Sequence, residues 1–359
     1  MVNAGSSSLK LSVLERGQIC SSHELSAPGA VVDQARLAGA ISEMGPVDAV
    51  GHRIVHGGER YVQPVRIDDE VLSGLRALAD LAPLHQAKSL SALDAVSAAH
   101  RGVPAVACFD TAFHATIPRG ACTYALPRAW RERWSLRRFG FHGLSHAYAA
   151  RRAAELIGRP LQRLRIVTCH LGAGASLAAV ESGRSVDTTM GFTPLEGLAM
   201  ATRSGSVDPG LLLWLLERTE LSEERLGHAL EHESGMVGLA GTDDMRAIIE
   251  AAAVNNEHAC LALEVYLHRL RAGIAGMAAA MGGLDALVWT GGVGEHAPAV
   301  RAAAADGLRF LGVGIDHDKN RTAIGDQDLT APGAAVQTVT VMAREDLEIE
   351  RQVLAVLTQ

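Results

Sequence analysis

The chain alternates short apolar runs with amphipathic stretches. Apolar runs of roughly four to eight residues bounded by turn signals read as strands, and a 3.6-residue apolar period reads as helix. Leu9–Leu14 is predicted as a strand, with Ile19–Leu25 its hairpin partner across Glu15-Arg16-Gly17. A helix over Val32–Met44 follows, then a strand over Ala49–His56 that runs into Gly57-Gly58-Glu59. Asp68–Leu81 is predicted helical and stopped by Pro83; Ser89–Arg101 is a second helix ending at Gly102. Ala105–Phe109 is a buried strand that delivers Asp110.

The middle of the chain repeats this plan. His146–Leu156 is predicted as a helix closed by Gly158 and Pro160, and Arg165–Cys169, Ser176–Val180 and Arg184–Thr188 as strands. Pro209–Glu217 and Ser222–His232 read as helices, and Ala251–Met281 as one long helix or two. Ala286–Thr290 is a short buried strand, and Pro298–Leu311 and Asp346–Leu357 are helices. Strands alternating with helices predict an α/β fold. The strongest sign of duplication is a device used twice. Asn3–Lys10 and His170–Leu177 are both small-residue turns leading into an apolar strand, and each strand ends in a Gly turn, Arg16-Gly17 and Ser182-Gly183. Such turns let backbone N–H groups approach an anion, so two copies point to a nucleotide-phosphate cradle and to phosphoryl transfer.

Composition narrows the class. A chain of 359 residues with 48% hydrophobic content is long enough for two domains with cores. The net charge of −7 supplies no basic footprint for nucleic acid or an anionic membrane. No secretory signal or bilayer-spanning run is read, and the five scattered cysteines fit reduced thiols, so a cytoplasmic protein is expected.

Several residues carry candidate chemistry, each beside a plainer reading. Gly291-Gly292-Val293-Gly294 follows a buried strand, at the edge where open α/β sheets bind ligands; it is equally an ordinary helix entry. Arg53 and Arg203 stand near glycines at strand ends, placed to fork onto carboxylate or phosphate or to form a local ion pair. Asp110 is a magnesium ligand, a positioning acid or a helix cap. His142, beside Gly143, is the better hydrogen-bond donor to developing phosphoryl charge, and His146 reads as structural. The Gly/Pro/Thr-rich segment Asp187–Gly197 is a functional or merely structural loop. Glu345 and Asp346 complement a helix dipole or contact magnesium.

These segments together resemble the acetokinase family of the actin, sugar-kinase and heat-shock-chaperone superfamily. The resemblance spans nearly the whole chain, through N-A-G-S-S-S-L-K, G-H-R-I-V-H-G-G-E, F-D-T-A-F-H, F-G-F-H-G-L-S-H, H-L-G-A-G-A-S, D-T-T-M-G-F-T-P-L-E-G-L, T-R-S-G-S-V-D-P and T-G-G-V-G-E. It implies two duplicated ribonuclease-H-like domains with a nucleotide cleft between them. The first would cover residues 1–111, completed by the helix 346–359, and the second 112–345, with the dimer interface. The implied reaction is reversible, magnesium-dependent transfer of the ATP γ-phosphoryl group to acetate, giving acetyl phosphate and ADP, in a homodimer. Arg53, His85 and Arg203 would bind substrate, and Asp110, His142, Arg53 and Arg203 would be catalytic. Lys10, His170, Leu171, Gly172, Ala173 and Gly174 would line the phosphate cradle. Asp244, Met245 and Arg246, with Gly291, Gly292, Val293, Gly294 and Glu295, would bind the nucleoside, and Asn3 and Glu345 the Mg2+.

The chain departs from the family pattern at four points: a short lead before Asn3, Ala173 in place of Asn, Gln86-Ala87 in place of Asn-Pro, and Asp346 in place of Glu. Two rivals stand beside the leading expectation. One is a propionate or butyrate kinase, separated by about 1–3 kcal/mol per methylene in the acyl pocket. The other is a low-turnover nucleotide-binding sensor.

Overall fold

Two hairpins in the chain turn on the same pair of backbone conformations. Arg16 and Gly17 have φ of +50° and +79°, and Ser182 and Gly183 have φ of +54° and +81°. Positive φ at both central residues is the type I′ turn, whose twist matches that of the flanking strands. The computed structural model that shows this describes residues 1–4, 8–26, 34–78 and 83–358, and among these the side chains of all but residues 8, 34 and 83–88. The turn residues Gly5-Ser6-Ser7, the expected helical residues 32–33 and 79–81, and the side chain of His85 lie outside the described residues.

The described chain divides into two compact units. The first comprises Met1–Ala115, Phe141–Tyr148 and Arg344–Gln359; the second comprises Thr116–Gly140 and Ala149–Ala343. The segment carrying His142 thus belongs to the first unit, although it lies beyond residue 111.

Each unit is built on a six-stranded mixed sheet. In the first, β1 (Val2–Ala4), β2 (Ser8–Glu15), β3 (Gln18–Ser26), β4 (Val50–Ile54), β5 (Val65–Arg66) and β6 (Ala105–Phe109) lie in the order β3-β2-β1-β4-β6-β5. In the second, β7 (Arg165–Leu171), β8 (Ala175–Glu181), β9 (Arg184–Thr188), β10 (Ala286–Thr290), β11 (Gln327–Asp328) and β12 (Gln337–Thr340) lie in the order β11-β12-β10-β7-β8-β9. Read in reverse, the second order matches the first strand for strand. An antiparallel meander opens each sheet, two parallel strands follow, and a two-residue antiparallel strand closes the edge. The register shift near the end of each hairpin also repeats, at Val13/Leu14 and at Ala179/Val180. The expected duplicated α/β architecture is therefore present.

The C-terminal helix Glu345–Leu357 packs on the first sheet, where Ile349 and Val353 join Val106, Cys108 and Leu144 in one apolar cluster. Gly51 makes room for it. A Cβ there would lie 2.4 Å from Ile349 Cγ2 and 2.8 Å from Val353 Cγ2.

Several expected boundaries move. Pro83 begins a helix, Pro83–Ala99, instead of only stopping the one before it, because proline suits a first helical turn whose N–H groups lack intrahelical partners. The preceding helix is Asp69–Ala77, with the Asp68 side chain accepting from Val71 N. Gly143 opens the helix Gly143–Ile157, three residues ahead of the predicted start. Ala251–Met281 is broken: Met245–Ala253 ends, Asn255 takes φ of +61°, and Asn256 caps the helix Glu257–Ala280 through Ala259 N. The short strands β5, β11 and β12 carry too little apolar pattern to be read from sequence.

Candidate active site

Strands β1, β4 and β6 run parallel, so their carboxyl ends emerge together. Asn3, Arg53 and Asp110 stand at those ends, and Glu345, the first residue of the C-terminal helix, joins them. Arg53 Nε donates to Asp110 Oδ1 at 3.1 Å and Nη2 to Oδ2 at 2.5 Å. Its Nη1 donates to Asn3 Oδ1 and to the Ala4 carbonyl, each at 3.1 Å. Asn3 Nδ2 donates to Glu345 Oε2 at 2.9 Å, which lies 3.7 Å from Arg53 Nε. Four of the residues singled out in the sequence thus form one cluster, two of them 342 positions apart.

The cluster holds one guanidinium and two carboxylates. Burial is the largest influence on Asp110 and pushes its carboxyl up to about 6, and the Arg53 guanidinium opposes this. Burial also works against the charge of Arg53, but Asp110 and Glu345 outweigh it and raise its pKa. Hard oxygen donors of this kind suit a divalent cation such as Mg2+. Asn3, Asp110 and Glu345 are the residues that would hold it.

The backbone after Phe141 is drawn against this cluster. Gly143 N donates to the Asp110 carbonyl at 2.9 Å, and a Cβ on Gly143 would lie 2.2 Å from that oxygen. His142 adopts φ of +57°, a left-handed conformation that costs a non-glycine residue about 1–2 kcal/mol. Strain of this kind collects at functional sites. His142 is half-buried, while its neighbours Phe141, Gly143 and His146 are buried. His146 packs its ring 5.7 Å from that of His114, whose Nε2 meets the Phe141 carbonyl at 2.9 Å. The structural reading of His146 fits this packing.

In the second unit, β7 and β10 are parallel neighbours, with His170 opposite Thr290. The two glycine turns that follow them are therefore adjacent. A Cβ on Gly291 would lie 2.8 Å from the Leu171 carbonyl, and one on Gly172 would lie 4.0 Å from Gly292 N. Gly172 N closes the first turn by donating to the Gly174 carbonyl at 3.0 Å, and Ala173 is exposed at its tip. The second turn is helical, Gly291–His296. Glu295 Oε1 accepts from both Gly291 N and Ala343 N at 2.9 Å, so this acid fastens its own turn.

Four expected residues have local partners. Asp244 caps the helix Met245–Ala253 through Arg246 N and pairs with the Arg246 side chain, while Met245 is buried. Lys10 reaches Glu24 across its hairpin at 4.0 Å, with both side chains exposed. Arg203, half-buried, donates to the Pro194 carbonyl at 3.4 Å; burial lowers its pKa and Glu231 opposes that.

Two groups of residues escaped the sequence reading. Arg301 is fully buried and donates to the carbonyls of Gly294 and Glu295 at 2.9 and 2.7 Å, with Asn320 as its other partner. Tyr124 and Arg138 bind Glu196, a residue of the 187–197 loop. The only signal for the second group was Glu196 inside a loop already noted for its composition.

A sequence model described as the acetokinase family matches residues 30–351. The chain belongs to the acetokinase family. It is 48% identical to an acetate kinase of Gloeobacter violaceus over 314 residues, covering 87% of this chain and 77% of that protein. It is 44% identical to an acetate kinase of Dictyoglomus turgidum over 320 residues, 89% of this chain and 79% of the other. Among solved structures, Porphyromonas gingivalis acetate kinase superposes with a TM-score of 0.92 at 34% identity, covering 99% of this chain and 98% of that one. A propionate kinase from Francisella tularensis gives the same TM-score at 31% identity and the same coverage. This member of the acetokinase family is a kinase, a phosphotransferase with a carboxyl acceptor. Among its described residues, no helix is long and apolar enough to cross a membrane.

Proposed function

We propose that the protein is an acetate kinase that transfers the γ-phosphoryl group of ATP to acetate, reversibly and with Mg2+, giving acetyl phosphate and ADP. The observation that carries this reading is the cluster of Asn3, Arg53, Asp110 and Glu345 at the carboxyl ends of three parallel strands. In such a cluster the guanidinium attracts an anionic acceptor, and the neighbouring oxygens suit a cation.

The acceptor carboxylate is already ionised at neutral pH, so no general base is needed. One carboxylate oxygen forms the new bond to the γ-phosphorus as the bond from that phosphorus to the ADP oxygen breaks. Catalysis then reduces to alignment and neutralisation of charge. Arg53 and Arg203 supply positive charge to acid and phosphoryl group, and His142 donates to the developing phosphoryl charge. The turns His170–Gly174 and Gly291–Glu295 present backbone N–H groups to the nucleotide. Glu345 and Asp110, with Asn3, would hold Mg2+, which would neutralise charge on the phosphate oxygens.

We further infer a homodimer in the cytoplasm. The helix Pro209–Arg218 supports the dimer, because Leu211, Leu213 and Trp214 are 46%, 61% and 54% exposed. Exposed apolar side chains grouped on one helix mark an interaction surface.

The reading is tested by acid-dependent release of ADP from ATP and Mg2+, measured with acetate, propionate and butyrate. Acetate is expected to give the highest kcat/KM. The propionate kinase with the same TM-score makes the second acid the main rival, and a preference for propionate or butyrate would overturn the acetate assignment.

A further inference from the structure

The turn between Thr189 and Glu196 is rich in glycine, threonine and proline, yet three side chains fix it. Arg138 Nη1 donates to the carbonyls of Thr189 and Met190, each at 3.0 Å. Its Nη2 donates to Glu196 Oε1 at 2.7 Å. The hydroxyl of Tyr124 donates to Glu196 Oε2 at 2.5 Å and accepts from Phe192 N at 2.8 Å. Each oxygen of Glu196 therefore has its own donor. The guanidinium of Arg138 also lies 5.6 Å from the centre of the Tyr124 ring.

The chain is shaped around this triad. A Cβ at Gly191 would lie 1.7 Å from Glu196 Oε2 and 2.2 Å from the Tyr124 hydroxyl, so a side chain there would displace the triad. The Gly191 carbonyl accepts from Phe139 N and Gly140 N at 3.0 and 3.2 Å. Inside the turn, the carbonyl of Pro194 accepts from Arg203 Nη1.

We propose that Glu196, with Arg138 and Tyr124, is a positioning set for Arg203. It fixes the turn whose Pro194 carbonyl receives the guanidinium, and so aims that guanidinium at the anionic substrate. The proposal rests on the role given to Arg203 above. Glu196 does not touch substrate; it acts through the turn. A small misplacement of an aligning group is enough to slow a reaction that depends on alignment.

The test is a double-mutant cycle. Steady-state constants for acetate and for ATP are measured for the wild type, Glu196→Ala, Glu196→Gln, Arg203→Lys and the double variant Glu196→Ala/Arg203→Lys, with thermal midpoints for each. Glu196→Ala is expected to lower kcat/KM for acetate by roughly tenfold or more while KM for ATP stays within about twofold. Glu196→Gln, which keeps one oxygen acceptor, recovers part of the loss. In the Arg203→Lys background, Glu196→Ala costs less than about twofold, because the residue it acts through is already altered. Losses that multiply independently, or acetate and ATP constants that worsen together, overturn the proposal. If Glu196→Ala does not fold, Tyr124→Phe removes one bond at nearly constant volume and must show the same non-additivity. Failure of the underlying reading looks different: the wild type would form no acyl phosphate, or Arg203→Lys would match the wild type.

Discussion

Arg53 grips Asp110 with two parallel hydrogen bonds, Nε to Oδ1 and Nη2 to Oδ2. The pair is buried, with side-chain exposures of 11% and 1%. Removing one member of such a pair strands the other charge. Asp110→Asn keeps the shape and one acceptor; it loses charged hydrogen bonds worth about 1.5–3 kcal/mol but relieves the burial cost that raises this carboxyl, so the two effects oppose and the net change in stability is expected to be small. Turnover should fall by about 10²-fold, as when one preorganised electrostatic group is lost. Chemical denaturation and steady-state kinetics on the same preparation check both.

His142 separates stability from activity. Its left-handed backbone costs about 1–2 kcal/mol, which glycine does not incur. Glycine adds a chain-entropy cost of about 0.5–1 kcal/mol. His142→Gly is therefore expected to match or slightly exceed the wild type in thermal midpoint while losing about 10²-fold in turnover. A large drop in midpoint would show that the ring is needed for the fold.

Stability should fall as the solution is acidified below about pH 6.5. Burial lowers the pKa of His52 to about 3, and of His56 and His114 to about 4. Both ring nitrogens of His52 lack a hydrogen-bond partner. Between pH 6.5 and 4 the unfolded chain takes up these protons and the folded chain does not, so stability rises with pH across that window. Asp110, whose carboxyl is raised to about 6, acts in the opposite sense between its unfolded value of 3.8 and 6. Three histidines outweigh one acid, and the slope is at most about 1.4 kcal/mol per pH unit per uncompensated proton. Denaturation midpoints measured from pH 7.5 down to 4.5 test the sign.

Leu213→Glu places a charge at the most exposed apolar position of the helix Pro209–Arg218. If that helix forms the dimer interface, light scattering should report a monomer at a concentration where the wild type is dimeric. An unchanged mass would place any interface elsewhere.

The local devices of the fold were readable from the chain. Arg16-Gly17 and Ser182-Gly183 announced their hairpins because a two-residue type I′ turn demands positive φ. What depends on distant partners was not. Glu345 looked like an acid in a first helical turn, and nothing local shows that Asn3 reaches it from the other end of the chain. Glu196 lay in a loop noted for its composition, but its partners Tyr124 and Arg138 are 72 and 58 residues away. Pro83 reads as a stop alone because proline both ends one helix and opens the next. Ala251–Met281 reads as one helix or two, and Asn255 and Asn256 make it two.

The central claim is phosphoryl transfer to a small carboxylate. The most direct measurement is trapping of the acyl phosphate as its hydroxamate, from ATP, Mg2+ and acetate at neutral pH, with ADP measured in the same reaction. Acetohydroxamate is predicted to form in equal amount to ADP and to depend on added acetate. ADP without hydroxamate, or ATP binding with neither product, would contradict it.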